Sequence, residues 1–320
     1  MTNGVGVLEA ADVTRLLARV DSAEVMRGLF QQLGSGRAAA PPQTLAPFPG
    51  GGGDFITYLG VLEASRVFGA KLSPYISRPE GPLITAWTML MSMDTGRPLL
   101  VCDATQLTVE RTAATTALAV QLLAKPDAAR LAIIGTGPIA QAHLRHVRGL
   151  RDWSGIHMYS RTLSRDLERQ DALHALDPRV LLSSSVDEAV RDADVVMLCT
   201  SSASAVVDPT NLTRSALITS VSTNAVNAHE IPPPALHSMA VYCDDRAATP
   251  LVAGEMVLAA AEEGWSPTDI AGDLGELLNG RPHGLDHDTH TFFRSVGMGV
   301  EDVAMAKAIY DLHLRDERAG

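Results

Sequence analysis

Basic residues are in deficit in this 320-residue chain: 26 Lys and Arg stand against 37 Asp and Glu, a formal net charge of −11. That deficit argues against nucleic acid or an anionic membrane surface as the main partner, because both recruit proteins through clustered cations. Cysteine is scarcer still. Cys102, Cys199 and Cys243 are odd in number and sit mostly in apolar runs, which points to reduced core thiols in a cytoplasmic protein rather than a disulfide framework. No uninterrupted apolar run reaches the roughly 20 residues that span a bilayer. Met1–Val13 has neither the basic region nor the apolar stretch of an export signal. Internal repeats and low-complexity tracts are absent too. What remains is 46% hydrophobic and 20% charged, the composition of an ordinary globular protein, with a length that favours two domains.

Residues 8–35 read as two short helices, with Asp12 and with Asp21 or Ser22 as candidate caps. The Pro- and Gly-rich stretch 38–53 is a loop carrying one strand at 44–48. Strand-like runs follow at 55–59, 67–72, 83–91 and 99–102, the last two joined by a hairpin turn at Asp94-Thr95-Gly96. A strongly apolar helix over 112–124 is broken by Pro126. Strands at 131–134, 156–159, 180–182, 195–199, 217–221 and 241–243 then alternate with helical segments, the pattern of a doubly wound parallel sheet. Residues 278–291 are irregular, and 292–315 read as a closing strand and helix that return to the first domain.

The segment Leu131-Ala-Ile-Ile-Gly-Thr-Gly-Pro-Ile-Ala140 runs a buried strand into a glycine turn and then a helix. Gly135 allows the tight turn, Gly137 lets the backbone approach a pyrophosphate, and Ala140 lets the helix pack closely on the strand. The helix that opens at Pro138 offers free N–H groups from Ile139 onward, and a positive dipole end, to phosphates. The following strand ends about twenty residues on, where an NAD enzyme carries an acidic residue for the ribose hydroxyls. Here the residues are Ser160-Arg161-Thr162, with Arg165 one turn further. An arginine fork with two hydroxyls suits a 2′-phosphate, so NADP(H) is expected over NAD(H).

Further stretches carry a family resemblance: Gly69-Ala70-Lys71, Asp94-Thr95-Gly96-Arg97-Pro98-Leu99, Leu107-Thr108-Val109-Glu110-Arg111-Thr112-Ala113-Ala114, Gly254-Glu255-Met256 and Phe292–Asp302. With the glycine turn, they make the chain resemble the ornithine cyclodeaminase/mu-crystallin family along nearly its whole length. That family includes alanine dehydrogenases, ketimine reductases and bacterial L-arginine dehydrogenase. The resemblance implies an α/β fold with a Rossmann domain over 126–291. This domain is inserted into a discontinuous α+β substrate-binding and dimerisation domain formed by 1–125 and 292–320. A homodimer acting on a small amino or imino acid follows from it.

Lys71 closes an apolar segment, and Arg111 stands at the start of an apolar helix beside Thr108. A planar guanidinium can clamp both oxygens of a substrate carboxylate, and a lysine desolvated beside another cation can exchange a proton with the substrate nitrogen. The bland alternatives are an Arg111 ion pair with Asp103 or Glu110 and a solvent-facing Lys71. The resemblance makes Lys71 and Arg111 the catalytic pair, adds Tyr58 to the substrate site, and extends the cofactor set to Thr85, Thr136, Thr200, Ser201, Ser202, Val221, Ser222, Ser295 and Gly297.

Two departures bear on the substrate. Many family members place Pro-x-Arg near Pro41–Thr44, where this chain offers only Gln43 or Thr44 to the carboxylate. Asn224 falls where the cyclodeaminases carry an aspartate for the terminal amine, and an amide takes up no proton at neutral pH. The reading is therefore an NADP(H)-linked dehydrogenase of arginine or another basic amino acid; Asp54, Glu80 and the acidic charge agree with such a substrate. A cyclic ketimine reductase is the next alternative, ahead of ornithine cyclodeaminase and a non-catalytic NADPH binder. His283, His287 and His290 with Asp286 and Asp288 match no metal-ligand spacing and read as a polar surface loop, so no metal is expected. Cys243 with Asp244 and Asp245 reads the same way. Arg161→Asp is expected to move the ratio of kcat/KM for NADP+ over NAD+ towards NAD+; an unchanged ratio would place the cofactor preference elsewhere.

Overall fold

The computed structural model describes residues 5–223, 225–280 and 287–319. The chain opens with β1 (Gly6–Leu8), α1 (Ala10–Leu17) and α2 (Ser22–Gly34). There follow β2 (Ala38–Ala39), β3 (Thr44–Pro47), β4 (Gly53–Leu62), β5 (Val67–Ile76), β6 (Leu83–Ile84), β7 (Trp87–Ser92) and β8 (Pro98–Asp103). After α3 (Thr105–Leu123) come β9 (Arg130–Ile134), α4 (Pro138–Val147), β10 (Gly155–Tyr159), α5 (Leu167–Leu176), β11 (Val180–Leu182), α6 (Val186–Val190) and β12 (Val195–Leu198). The remainder is β13 (Leu217–Ser220), β14 (Met239–Cys243), α7 (Gly254–Glu262), β15 (Ile270–Asp273), α8 (Leu274–Leu278), β16 (His290–Arg294) and α9 (Gly299–Ala319). The chain divides into two compact units, one formed by 1–111 with 297–320 and the other by 112–296.

In the first unit the strands form a sheet ordered β1-β8-β7-β5-β4-β2, with β3 on β4 and β6 on β5. All its pairings are antiparallel except β1 with β8. Side chains alternate between its faces. Tyr58, Leu62, Val67, Lys71, Thr88, Leu90, Leu100 and Cys102 share one buried face, while Leu59, Phe68, Leu72 and Met89 are exposed on the other. α9 packs on the buried face.

Local chemistry explains three differences from the sequence expectations. The run 83–91 is not one strand but β6 and β7: it stays in register along β5, but Pro74 has no N–H to give to the ladder, and pairing lapses opposite it. α3 begins at Thr105 rather than 112, because the Asp103 carboxylate accepts from the Thr105 N–H at 2.9 Å and nucleates the first turn. Asp12 does not cap α1, whose N-cap is Glu9, and instead lies in the first turn, where its charge favours the helix dipole. Asp21 does cap α2, accepting from the Glu24 N–H at 3.0 Å.

The second unit is a Rossmann-type parallel sheet, ordered β11-β10-β9-β12-β13-β16-β14-β15. Its central strands read as unbroken apolar runs, since both faces are covered by helices. Residues such as Ala132, Val196, Ile218, Val241 and Phe292 form one buried cluster through it. The closing strand β16 sits inside this sheet, between β13 and β14, so α9 alone joins the first unit. Among the described residues no helix is long and apolar enough to cross a membrane.

Candidate active site

Two clusters of chemistry-bearing residues stand out, one in each unit. The first lies where α3 and α9 meet the buried face of the antiparallel sheet. Because α3 already winds from Thr105, Thr108 and Arg111 are three residues apart and share one helix face. Lys71 is 2% exposed and Arg111 6%, and the carboxylates of Glu301 and Asp302 on α9 are fully buried. Arg111 Nη1 donates to Glu301 Oε2 at 2.8 Å, and its Nε lies 3.4 Å from Asp302 Oδ1. Lys71 Nζ is 2.9 Å from Asp302 Oδ2, donates to the Thr108 hydroxyl at 3.3 Å and sits 4.3 Å over the centre of the Tyr58 ring. Gly297, with φ of 75°, lies against the Arg111 guanidinium so closely that a Cβ would collide with Nη1.

Electrostatics separates the two cations. Burial pulls the Lys71 ammonium below the usual lysine range, and Arg111 adds to that pull, against the opposing attraction of Asp302. Burial also works against charge on Arg111, but Asp302 and Glu301 outweigh it and the guanidinium is held above its ordinary value. Arg111 is thus a fixed charge and Lys71 a group that can change protonation. The partners of Arg111 are Glu301 and Asp302 rather than the expected Asp103 or Glu110. Two adjacent carboxylates in the apolar stretch Met298–Ala306 were the available sign of them.

Gln43 and Thr44 are exposed at the start of β3. Thr44 pairs with Thr57, one residue out of phase with the Tyr58–Lys71 pair, and so lies on the other face of the sheet from Lys71. Thr85 is half-buried between β6 and β7. Asn224 lies outside the described residues.

The second cluster is a cleft of about 930 Å³ at the carboxyl ends of β9, β10, β12 and β13. From the expected set it is lined by Gly135, Thr136, Gly137, Pro138, Ile139, Ser160, Arg161, Thr162, Thr200, Ser201, Ser202, Val221 and Ser222. Gly135, at φ of 118°, could carry no side chain, since a Cβ would strike the Cys199 carbonyl. Beside Gly137, the N-cap of α4, space is open. The Thr136 and Ser160 hydroxyls are 2.9 Å apart, and Arg169 Nη1 donates to the Thr136 carbonyl at 3.2 Å. The Ser222 hydroxyl is buried and has no hydrogen-bond partner among the described residues. A glycine turn, an open helix N-terminus and an unpartnered hydroxyl fit a dinucleotide.

Arg165, exposed at the end of a short 3₁₀ turn, is not among the lining residues, nor are Ser295 and Gly297. Ser295 instead donates to Asp244 Oδ2 at 3.0 Å, which also accepts from the Val296 N–H at 2.7 Å. Glu255 and Arg294, both in stretches that carried the family resemblance, form a buried ion pair at 2.9 Å behind the cleft. Cys199, Thr223 and Val206 line the cleft without having been anticipated. His283 and Asp286 lie outside the described residues. His290 Nδ1 accepts from the Ala216 N–H and the His287 carbonyl from Ser215. Among the described residues no cluster of His, Cys, Asp or Glu is arranged to hold a metal.

Parallel sheet, glycine turn and cleft together define a Rossmann-type nucleotide-binding α/β protein. Its sequence matches the ornithine cyclodeaminase/mu-crystallin family over residues 5–317, and the chain belongs to that family. It is 54% identical to the NAD(P)H-dependent anabolic L-arginine dehydrogenase DauB of Pseudomonas aeruginosa, over 96% of each chain. It is 30% identical to the ketimine reductase mu-crystallin of Mus musculus, over 79% of this chain and 80% of that one. A solved structure of Thermococcus litoralis Δ1-pyrroline-2-carboxylate reductase, in complex with NADH and L-proline, shares the fold with a TM-score of 0.89, at 23% identity and 98% coverage of both chains.

If Lys71 exchanges a proton with substrate, the kcat of amino-acid oxidation should rise with pH along a limb whose apparent pKa lies below the 10.5 of an exposed lysine. Lys71→Met should lower kcat by about 10²–10⁴-fold and flatten that limb, with NADPH affinity unchanged in a fluorescence titration. An intact limb in the variant would remove Lys71 from the chemistry.

Proposed function

We propose that the protein is an NADP(H)-dependent oxidoreductase interconverting an L-amino acid, arginine or another long basic one, with its imino and 2-oxo acid. The observation that carries this reading is the buried pair of unlike cations: one guanidinium locked in charge, and one ammonium biased towards losing its proton. Oxidation removes a hydride from the α-carbon and a proton from the nitrogen, leaving an imine that water converts to the 2-oxo acid and ammonia. A bound nicotinamide would supply the hydride acceptor for oxidation and the hydride donor for reduction. Neutral Lys71 accepts the nitrogen proton in oxidation, and its ammonium form supplies it in reduction. Arg111 receives the substrate carboxylate, held in orientation by Glu301 and Asp302. Tyr58, Gln43 and Asn224 are assigned to the substrate, and Thr44, expected there from the sequence, is left out because it lies on the other face of the sheet from Lys71.

The dinucleotide is assigned to the cleft of the second unit. Gly135–Ile139 would hold its pyrophosphate, and Ser160, Arg161 and Thr162 with Arg165 its 2′-phosphate; Arg161 and the lack of an acidic residue at 160–162 favour NADP(H) over NAD(H). Thr200–Ser202, Val221 and Ser222 take the other half; Thr85, Ser295 and Gly297, expected here from the sequence, are not among the residues that line the cleft. The 54% identity to an L-arginine dehydrogenase supports the basic substrate. Likeness to a ketimine reductase favours the second reading, reduction of a cyclic ketimine.

We also assign domain roles: substrate binding and dimerisation to the first unit, 1–111 with 297–320 where the sequence suggested 1–125 with 292–320, and nucleotide binding to the second, 112–296 where it suggested 126–291. A homodimer is supported by the outer face of the antiparallel sheet, where Leu59, Phe68, Leu72 and Met89 remain 36–46% exposed, an apolar patch that a monomer seldom leaves in water. The cytoplasm is the proposed compartment, in keeping with the unpaired thiols of Cys102, Cys199 and Cys243.

Absorbance at 340 nm with NADP+ at alkaline pH, across arginine, lysine, ornithine and alanine, should rise most with arginine or another basic member. Silence with all of them, together with NADPH consumption by pyrroline- or piperideine-2-carboxylate, would establish the ketimine reading instead. Phe68→Asp should convert a dimer to a monomer in sedimentation equilibrium while preserving the far-UV circular dichroism; an unchanged mass would move the interface off this face.

A further inference from the structure

The loops after β12 and β13 both line the nucleotide cleft, and one residue outside the lining holds the two together. Glu230 is fully buried. Its Oε1 accepts from the Thr200 N–H at 2.9 Å and the Thr200 hydroxyl at 2.7 Å. Its Oε2 accepts from the Ser220 hydroxyl at 2.7 Å and the Ser222 N–H at 2.9 Å. Its own carbonyl accepts from the N–H groups of Val206 and Val207 at 2.9 and 3.2 Å. Thr200, Val206 and Ser222 line the cleft, whereas Ser220 and Glu230 lie behind it. Ser222 is held at φ of 49°, a left-handed backbone that a serine keeps only when its surroundings impose it. The hydroxyl so held is the buried, unpartnered one.

Strand order says which part of a dinucleotide these loops meet. The glycine turn follows β9; β10, with Ser160 to Thr162, lies to one side of it, and β12 and β13 lie to the other. A dinucleotide laid across the carboxyl ends of the strands puts its adenosine half over β10 and its nicotinamide half over β12 and β13. We infer that Glu230 is a positioning residue for the nicotinamide half of the cofactor: it clamps the two loops and holds Ser222 in the conformation that offers its hydroxyl to the cleft. The inference rests on the nucleotide assignment made above. Four donors converge on one carboxylate, and no other side chain type supplies that many acceptor sites in so small a space.

Two probes separate this role from general support of the fold: NADPH, and adenosine 2′,5′-bisphosphate, which has no nicotinamide half. Glu230→Gln keeps the shape but turns an amide donor towards the Thr200 or Ser222 donors, and each conflict of that kind is worth about 1–3 kcal/mol. In fluorescence and competition titrations the NADPH Kd should therefore rise about 10-fold or more, with the bisphosphate Kd changing less than about 2-fold. Ser220→Ala, which removes one bond from behind the cleft, should show the same selectivity with a loss of about 3-fold, and it carries the test if Glu230→Gln does not fold. Equal weakening of both probes, or no weakening of NADPH, would overturn the positioning role. If the unaltered protein binds neither probe, the nucleotide assignment itself fails.

Discussion

Four charges sit out of water in the first unit, and none of them could do so alone. Desolvating an ion costs several kcal/mol even after relaxation, and removing one partner of a buried pair leaves the other exposed to that full cost. Lys71, Arg111, Glu301 and Asp302 meet this constraint together, two cations against two carboxylates. The return of α9 onto the antiparallel sheet makes the arrangement possible, since it delivers both carboxylates at once. The balance is uneven. Arg111 touches both carboxylates and keeps its charge, while Lys71 touches one, shares it with Arg111, and is held below the usual lysine range.

The second unit uses buried carboxylates for a different purpose. Glu230 and Asp244 lie behind the carboxyl ends of the parallel strands and bind the segments that leave them, while Glu255 pairs with the Arg294 side chain at the end of β16. Peptide N–H groups at the end of a strand have lost their ladder partners and need acceptors. A carboxylate can take several of them and thereby fix a loop's conformation rather than merely its position. Rigid loops matter here because a site that must align a hydride donor and acceptor loses rate steeply with small misplacements. The Glu255–Arg294 pair shows that some residues in the stretches that carried the family resemblance hold the frame and do not touch the cleft.

Much of this was legible in the linear chain, for reasons that are local. Gly135, Gly137 and Ala140 at their spacing, after a four-residue apolar run, specify a strand–turn–helix without help from distant residues. The alternation of apolar segments over 130–250 likewise reports a parallel sheet covered on both faces. Arg111 stood out because a cation opening an apolar helix has poor structural justification, whereas Lys71 was singled out by the family resemblance. Other features were hidden by distance or by small chemistry. Pro74 interrupts the pairing of β6 and β7 through a single missing donor, and Asp103 starts α3 two turns before its apolar stretch begins. β16 reads as an isolated strand in sequence; its neighbours β13 and β14 are what assign it to the parallel sheet.

Local patterns, then, were enough to give most element types and the dinucleotide turn, because propensity and periodicity act over a few residues, while the two cations were marked by the family resemblance. Partnership was another matter. Arg111 and Glu301 lie 190 positions apart, and Thr200 and Glu230 lie 30 apart. Nothing in the composition of either segment names its counterpart. Such contacts arise only once strand order and helix packing have brought the segments together, and the pKa of Lys71 and the conformation of Ser222 are consequences of that meeting. Burial leads the first and the Glu230 carboxylate imposes the second, and both exist only in the folded chain rather than in any stretch of it.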